Sequence, residues 1–312
     1  MAKFWETTNG YIALHEYVGA CIRMSFSKMD LNGLDKIPDF EKNIVIFAPN
    51  HCAAMIDPVL LLQVRRHAPI GFGSRSDIFA KPRTASILRW LRILPIARER
   101  NGLQEVAKNF ATFDEAIECM DHGTPFCMFA EGTHRAERGM MPVKKGVFRV
   151  AKMALERCSK PVYVVPVGLD YEYFFHEIGR VAVNIGEPIN VGEFFEAHKD
   201  NMVDAEMYRM LCETLRERDL NLIGYVMQRR HDRVLGRVLL SVASLPVFAL
   251  CAAASLPIWL PAAIIMATFK DKAWTHTVHF AMRFFWPILW PFQWLAGVLF
   301  NMYYELIRDL KR

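Results

Sequence analysis

The chain has 312 residues, 53% of them hydrophobic and 23% charged, with a formal net charge of +5. That length suits one large domain or two smaller ones, and so much apolar surface excludes a disordered chain. No dense basic stripe interleaved with aromatics is present, which argues against a nucleic-acid partner. The mild basic excess suits an anionic membrane surface or an anionic substrate.

The seven cysteines (Cys21, Cys52, Cys119, Cys127, Cys158, Cys212 and Cys251) are odd in number and form no CxxC pair. They read as reduced, buried thiols rather than a disulfide framework or a zinc site. The N-terminus does not read as a signal peptide, because Glu6 and His15 interrupt it and no small-residue cleavage site follows an apolar core.

In chain order, residues 1–27 form an N-terminal segment whose part 9–27 spaces Ile12, Leu14, Tyr17, Val18, Cys21, Ile22 and Phe26 as an amphipathic helix. Such a helix either lies on a bilayer or packs on the main sheet. Residues 28–200 alternate strand-like and helix-like segments. The runs 43–49, 70–73, 126–132, 162–168 and 181–186 are short, β-rich and apolar on both faces, as expected of strands covered on both sides. Between them, Val106, Phe110, Phe113, Ile117 and Met120 form a helical stripe expected to face the core, and a second helix is expected over 145–157. The expectation is an α/β domain with a mixed sheet flanked by helices. A connecting helix falls within 201–233: the pattern from Asp204 to Arg229 puts Met207, Met210, Leu211, Leu215, Leu222 and Val226 on one side.

The remainder, 234–312, reads as a hydrophobic helical region that anchors the protein to a membrane. No charge occurs over the 32 residues 238–269, nor over the 21 residues 284–304. A membrane helix needs about 20 apolar residues. The first run contains Pro246, Pro257 and Pro261 and fits one kinked span or a re-entrant hairpin. The second carries Trp286, Trp290, Trp294, Tyr303 and Tyr304, like an interfacial aromatic belt. Two spans would place Arg229, Arg230, Arg233, Arg237, Arg308, Lys311 and Arg312 on the side of the main domain, against Lys270, Lys272 and Arg283 opposite. That bias points to a catalytic domain on the cytoplasmic face of the membrane. Proline-rich helices lying flat on the bilayer are the alternative.

Four short segments carry chemistry. The first is Asn50-His51-Cys-Ala-Ala-Met-Ile-Asp57-Pro58, directly after the strand 43–49. Imidazole is largely neutral and proton-accepting at neutral pH, and a carboxylate on its far nitrogen fixes the tautomer. Six residues on a regular helix leave two side chains about 120° apart. The pair therefore meets only if His51 sits in a loop before the helix that Asp57 joins or begins, with Asp57 as N-cap and Pro58 in the first turn. The bland alternative is that Asp57 only caps the helix. Cys52 matches no nucleophile signature.

The second segment is Phe129-Ala-Glu131-Gly132-Thr133-His134-Arg135, followed by Arg138, Lys144 and Lys145. The third is Leu94-Pro-Ile-Ala-Arg98-Glu-Arg100. Two arginine-bearing loops at a sheet edge suit a phosphate cradle, or else are solvated basic turns. The fourth, Val165-Pro166-Val167-Gly168, is core or lines the site. No G-x-S-x-G elbow, P-loop, HExxH or complete GxGxxG is present. His276 and His279 lack a ligand cluster and read as interfacial residues, so no metal is expected.

Taken in order, NHxxxxxDP, LPIxR, EGTxR and VPVG resemble the glycerophospholipid acyltransferase family, the lysophosphatidic acid and glycerol-3-phosphate acyltransferases. The resemblance covers about residues 30–190 and is closest to a branch with His-x5-Asp in the first block. Asp77-Ile-Phe-Ala-Lys81, Asn109 and Gly186-Glu-Pro-Ile189 share in it.

The resemblance implies that His51 is the general base and Asp57 its support. It implies that Arg98, Glu131, Gly132 and Thr133 bind the acceptor's phosphate and shape the site, with Val165-Pro166-Val167 on the acyl-donor side. The usual third-block arginine position holds His134, with Arg135 next, so both stand as phosphate contacts. The first-block length also fits enzymes acting on glycerol-3-phosphate.

The implied function is membrane-bound O-acyl transfer to 1-acyl-glycerol-3-phosphate from acyl-CoA or acyl carrier protein, without a cofactor beyond that thioester. Glycerol-3-phosphate or an aminolipid is the alternative acceptor, and a non-catalytic membrane lipid-binding module is the alternative of another class. All the candidate residues precede residue 170, so the tail is expected to anchor the enzyme rather than join its chemistry.

Overall fold

The computed structural model describes residues 4–97, 109–224 and 234–310. Its centre is an eight-stranded mixed sheet in the order β1-β7-β6-β2-β5-β3-β4, with β8 on β6. The strands are β1 (Lys28–Asn32), β2 (Ile44–Pro49), β3 (Gly71–Arg75), β4 (Ile93–Ile96), β5 (Phe126–Cys127), β6 (Val162–Tyr171), β7 (Arg180–Ile185) and β8 (Ile189–Asn190). β6 runs parallel to β2 and antiparallel to β7 and β8, which makes the sheet mixed.

The sheet divides the core into two layers because its central strands are apolar on both faces. On one face Ile44, Ile46 and Val164 pack with Ile117 and Met120 of α4 (Asn109–Asp121) and Val147, Phe148 and Ala151 of α5 (Gly146–Arg157). On the other, Val45, Phe47 and Val165 pack with Ile22 at the end of α1 (Asn9–Arg23), with Phe26 just beyond it, and with Ile56, Leu60 and Leu61 of α2 (Ile56–Leu61). The N-terminal helix thus buries Tyr11, Cys21 and Ile22 against the protein, the packed alternative of the two that its pattern allowed.

Several expected elements shift. The run 126–132 pairs as a strand only over Phe126–Cys127, and the segment beyond it leaves the sheet to form a loop. Phe110, expected in the core, is 61% exposed, while Ile117 and Met120 of the same stripe are buried; Val106 lies outside the described residues. Met210 is exposed on α7 (Asp204–Asn221), which ends before Leu222; Val226 lies outside the described residues. Of three strands that the pattern did not announce, β1 and β4 lie at the sheet edges, where mixed polarity is tolerated, and the two-residue β8 pairs with β6. Helices α3 (Pro82–Trp90) and α6 (Val191–His198) complete the α/β part.

The C-terminal region consists of α8 (Val234–Ala254), α9 (Leu256–Thr268), α10 (Thr275–Phe285) and α11 (Trp290–Leu310). Among the described residues no single helix is long and apolar enough to cross a membrane. The run 238–269 is a pair of helices bent by 73°, and only together do they pass by length and composition. The run 284–304 is not one helix: α10 ends at Phe285 and Pro287 opens a short 3-10 turn before α11. Proline lacks the N–H that would continue the ladder, which accounts for the break. The run expected as a second span is thus divided between two helices.

Candidate active site

The carboxyl end of β2 delivers Asn50 and His51. The Asn50 amide grips β6, accepting from Leu169 N at 2.7 Å and donating to Leu169 O at 3.1 Å. Two adjacent parallel strands are thereby locked where the first loop begins. The loop turns through Ala54, whose φ of 49° is left-handed and uncommon for a residue with a Cβ. That turn leads the chain into α2.

Asp57 sits in the first turn of α2, with Met55 rather than Asp57 as the N-cap. Its carboxylate instead reaches back over the loop. Oδ2 accepts from Cys52 N and Ala53 N, each at 2.9 Å, and meets His51 Nδ1 at 2.7 Å. Oδ1 accepts from the Tyr171 hydroxyl at 2.5 Å. Asp57 is fully buried and every bond it accepts fixes its direction, while the His51 side chain remains 17% exposed. The ring therefore has Nδ1 held by the carboxylate, and Nε2 has no partner among the described residues. That is the arrangement of an oriented general base. Phe129 stacks on the ring at 4.1 Å between centroids.

Tyr171 is a site residue that the motifs did not announce. Burial, then the neighbouring Asp57 charge, push its hydroxyl well above the usual phenol range, so it stays a donor. Its signal in sequence was only an aromatic three places beyond the fourth motif. Cys52 is equally buried. Desolvation and the Asp57 and Glu131 charges push its thiol well up, which leaves it protonated and a poor nucleophile.

The second loop leaves β5. Gly132 takes φ +71°, the left-handed conformation that only glycine adopts without strain, with the Lys144 side chain against it. The turn folds Glu131 inward rather than towards a substrate. Its carboxylate accepts from His51 N at 2.6 Å and Met141 N at 2.9 Å. Burial raises its carboxyl pKa, and these two N–H donors pull the other way. Glu131 thus holds the backbone of the catalytic loop, in contrast to the substrate-binding role implied for it. Arg135 also contributes through its backbone, donating N–H to His51 O at 3.1 Å, while its exposed guanidinium pairs with Glu137.

His134 faces His51, ring against ring edge at 5.3 Å, and its Nε2 bonds Asp271 Oδ2 at 2.8 Å. Of the two candidate phosphate contacts, His134 is the one brought beside the base. Thr133 is exposed on the same turn. Arg98 lies outside the described residues; the chain before it is pinned where the Asn109 amide bonds both Ala97 N and Ala97 O. Arg138, also read as basic surface, is turned onto Asp170 and the Tyr171 carbonyl. Among the described residues no cluster of three or more His, Cys, Asp or Glu could hold a metal ion.

The C-terminal region does reach the site, contrary to the expectation of a mere anchor. Besides Asp271, Trp274 sets its ring edge-on to His134, Thr277 donates to Ala53 O at 3.3 Å, and His276 stacks on Tyr171.

The family model described as Acyltransferase matches residues 28–170, the span that holds both loops, Asp57 and Tyr171. This segment of the chain is thus similar to an acyltransferase domain. The chain is also similar in fold to the crystal structure of the 1-acyl-sn-glycerophosphate (LPA) acyltransferase PlsC from Thermotoga maritima. That likeness has a TM-score of 0.49 and 20% identity, and covers 71% of this chain and 81% of that one. No curated protein matches the chain. Asp271, Trp274, His276 and Thr277 lie beyond the matched span, so the acyltransferase domain is not the whole of its own site.

Proposed function

We propose that this acyltransferase is a membrane-bound glycerolipid O-acyltransferase. It moves an acyl chain from a thioester of coenzyme A or acyl carrier protein to the free hydroxyl of 1-acyl-glycerol-3-phosphate. The observation that carries the chemistry is the 2.7 Å pair of His51 Nδ1 with the buried, four-fold bonded Asp57.

The reaction follows from that pair. His51 Nε2 takes the proton of the acceptor hydroxyl as its oxygen attacks the thioester carbonyl carbon. The tetrahedral adduct collapses, the carbon–sulfur bond breaks, and the proton passes from His51 to the departing thiolate. Asp57 keeps the tautomer correct and stabilises the imidazolium between the two transfers. No covalent acyl-enzyme is required, consistent with the buried, protonated Cys52.

The membrane assignment is supported by the outer face of α8 and α9, where Leu239, Leu240, Val242, Leu245, Val247, Leu250, Leu260 and Ile264 are exposed. α9 has 13 residues, about 20 Å of helix, short of the ~30 Å hydrocarbon core. The bent pair thus suits entry into one leaflet, with the catalytic domain on the cytoplasmic side. The acceptor's phosphate falls to His134, and Arg98 is assigned to it from the sequence motif alone.

Purified enzyme is assayed with lysophosphatidic acid and each thioester donor, with product measured by mass spectrometry. A positioned general base contributes about 10²–10⁴-fold, so His51→Ala loses acyl transfer by that factor while remaining folded. Full transfer by His51→Ala would overturn the mechanism, and transfer to glycerol-3-phosphate alone would replace the acceptor.

A further inference from the structure

We propose that Asp271 is a positioning residue of the active site, holding His134 so that the second ring nitrogen meets an anionic oxygen of the acceptor. This role deepens the reading above and rests on the acceptor carrying a phosphate.

The site contains two histidine–carboxylate pairs. In the first, Asp57 takes His51 Nδ1 and leaves Nε2 for the acceptor hydroxyl. In the second, Asp271 takes His134 Nε2 and leaves Nδ1, which has no partner among the described residues. The two rings stand edge to face at 5.3 Å. Rings this close allow one acceptor molecule to touch both.

Asp271 is built for orientation. Its Oδ1 accepts from Ala273 N at 2.9 Å and caps the 3-10 turn Lys272–Trp274, which leaves Oδ2 aimed at His134. Trp274 on the same turn fixes the other side of the imidazole. Lys270 and Lys272 flank the carboxylate in sequence, and Lys272 Nζ is directed to Met266 O at 3.1 Å rather than to Asp271.

The other charged groups around His134 are His51 with Asp57 behind it, the Arg135–Glu137 pair on its own loop, and Lys144 against Gly132. The pair is open, with side-chain exposures of 23% for His134 and 50% for Asp271, so it adds little to stability. Its use is local. Binding an anion at Nδ1 requires the imidazole to donate from both nitrogens, one to Asp271 and one to the substrate anion, and Asp271 supplies the acceptor for the first.

The test compares wild type, Asp271→Ala, Asp271→Glu, His134→Ala and the double variant. Acceptors are lysophosphatidic acid and the phosphate-free monoacylglycerol. Loss of a bond to a charged group raises KM for lysophosphatidic acid about tenfold in Asp271→Ala, with kcat changed far less. Asp271→Glu restores part of it, the double variant is no worse than His134→Ala, and KM for monoacylglycerol does not move. An unchanged KM, an equal loss with both acceptors, or additive losses in the double variant would overturn the assignment.

A second readout needs no turnover: inorganic phosphate shifts the ring ¹⁵N signals of His134 in wild type and markedly less in Asp271→Ala. Equal shifts count against Asp271. If wild type acylates no phosphate-bearing acceptor, the glycerolipid reading fails, and the ¹⁵N titration alone decides the anion-positioning role.

Discussion

The α/β domain and the C-terminal helices draw on the same apolar residues and spend them in opposite directions. In the sheet, Ile44, Ile46, Phe47 and Val164 are wholly buried. On α8 and α9, Leu250 is 74% exposed and Leu239 64%. The polar groups are inverted as well, because the junction between the regions is charged and dry. Arg283 of α10 is buried with Glu177, to which it donates at 2.6 Å. It also donates to Gln293 Oε1 and Ser25 Oγ, each at 2.6 Å. His279 completes the cluster on Glu177. The comparison teaches that the C-terminal helices meet the domain through a buried polar cluster as well as apolar contacts such as Phe280 and Tyr17–Phe284, while the outer face of α8 and α9 stays apolar and exposed.

The sharpest way to break that contrast is to remove the junction's cation. Arg283→Ala removes one of the partners of the buried Glu177, and removing one member of such a pair costs about 3–5 kcal/mol. Denaturation in a single detergent should show that loss and uncouple the melting of the helices from that of the domain. A variant as stable as wild type would mean that the junction holds by apolar contact after all.

Acid should loosen the same junction. Burial pushes His276 down to about 4, and its neutral ring donates to Tyr173 O at 2.8 Å. The unfolded chain therefore takes up this proton first as pH falls. The stabilisation is complete above about pH 6.5 and lost down to about 4, worth about 3 kcal/mol at most. For Glu177, burial alone would raise the carboxyl, but His279, Arg283 and His276 together outweigh it and bring it down to about 2. Its contribution is full above about pH 4.5 and disappears towards 2. Stability measured against pH should fall through both windows, and His276→Phe should flatten the upper one only.

Where the junction meets the catalytic pair, Tyr171 bonds Asp57 on one side and stacks on His276 on the other. Tyr171→Phe keeps the packing and leaves Asp57 Oδ1 without its donor. A hydrogen bond to a charged group is worth enough to lower kcat about tenfold with KM for the acceptor little altered. A change in KM instead would place Tyr171 at the substrate.

The strand-to-motif order was readable because catalytic residues sit where apolar strands end, and both features are local. His51, Asp57 and the Glu131–Arg135 turn follow β2 and β5 by a few residues. The spacing argument also excluded a single helix for His51 and Asp57, and the loop before α2 meets that condition. What was not readable depends on distant chain. Asp271 reaches His134 across 137 positions, and nothing in a charged residue between two apolar runs marks it. Glu131 was assigned to the substrate because nothing in the sequence shows that its carboxylate turns under the loop to His51 N and Met141 N. The prolines of the first run announced a kink or a hairpin, which the 73° bend matches, whereas the break at Pro287 in the second run was not foreseen from its hydropathy.

The smallest effect on stability should come with a large effect on location. Leu240, Leu250 and Ile264 lie on the outer face of the bent pair and contact little of the protein. Replacing all three by Asn should change unfolding free energy by no more than about 0.5 kcal/mol each, as for surface positions away from special features. In the presence of lipid, each apolar side chain moved out of water gains about 1.5–3 kcal/mol, so the three together should control most of the binding. Flotation with vesicles containing anionic phospholipid should therefore show wild type bound and the triple variant free. Both should float or sink independently of catalysis, since His51→Ala leaves this face intact. If the triple variant still floats, the apolar face is covered by protein rather than lipid, and the contrast between the two regions has to be redrawn around a protein partner.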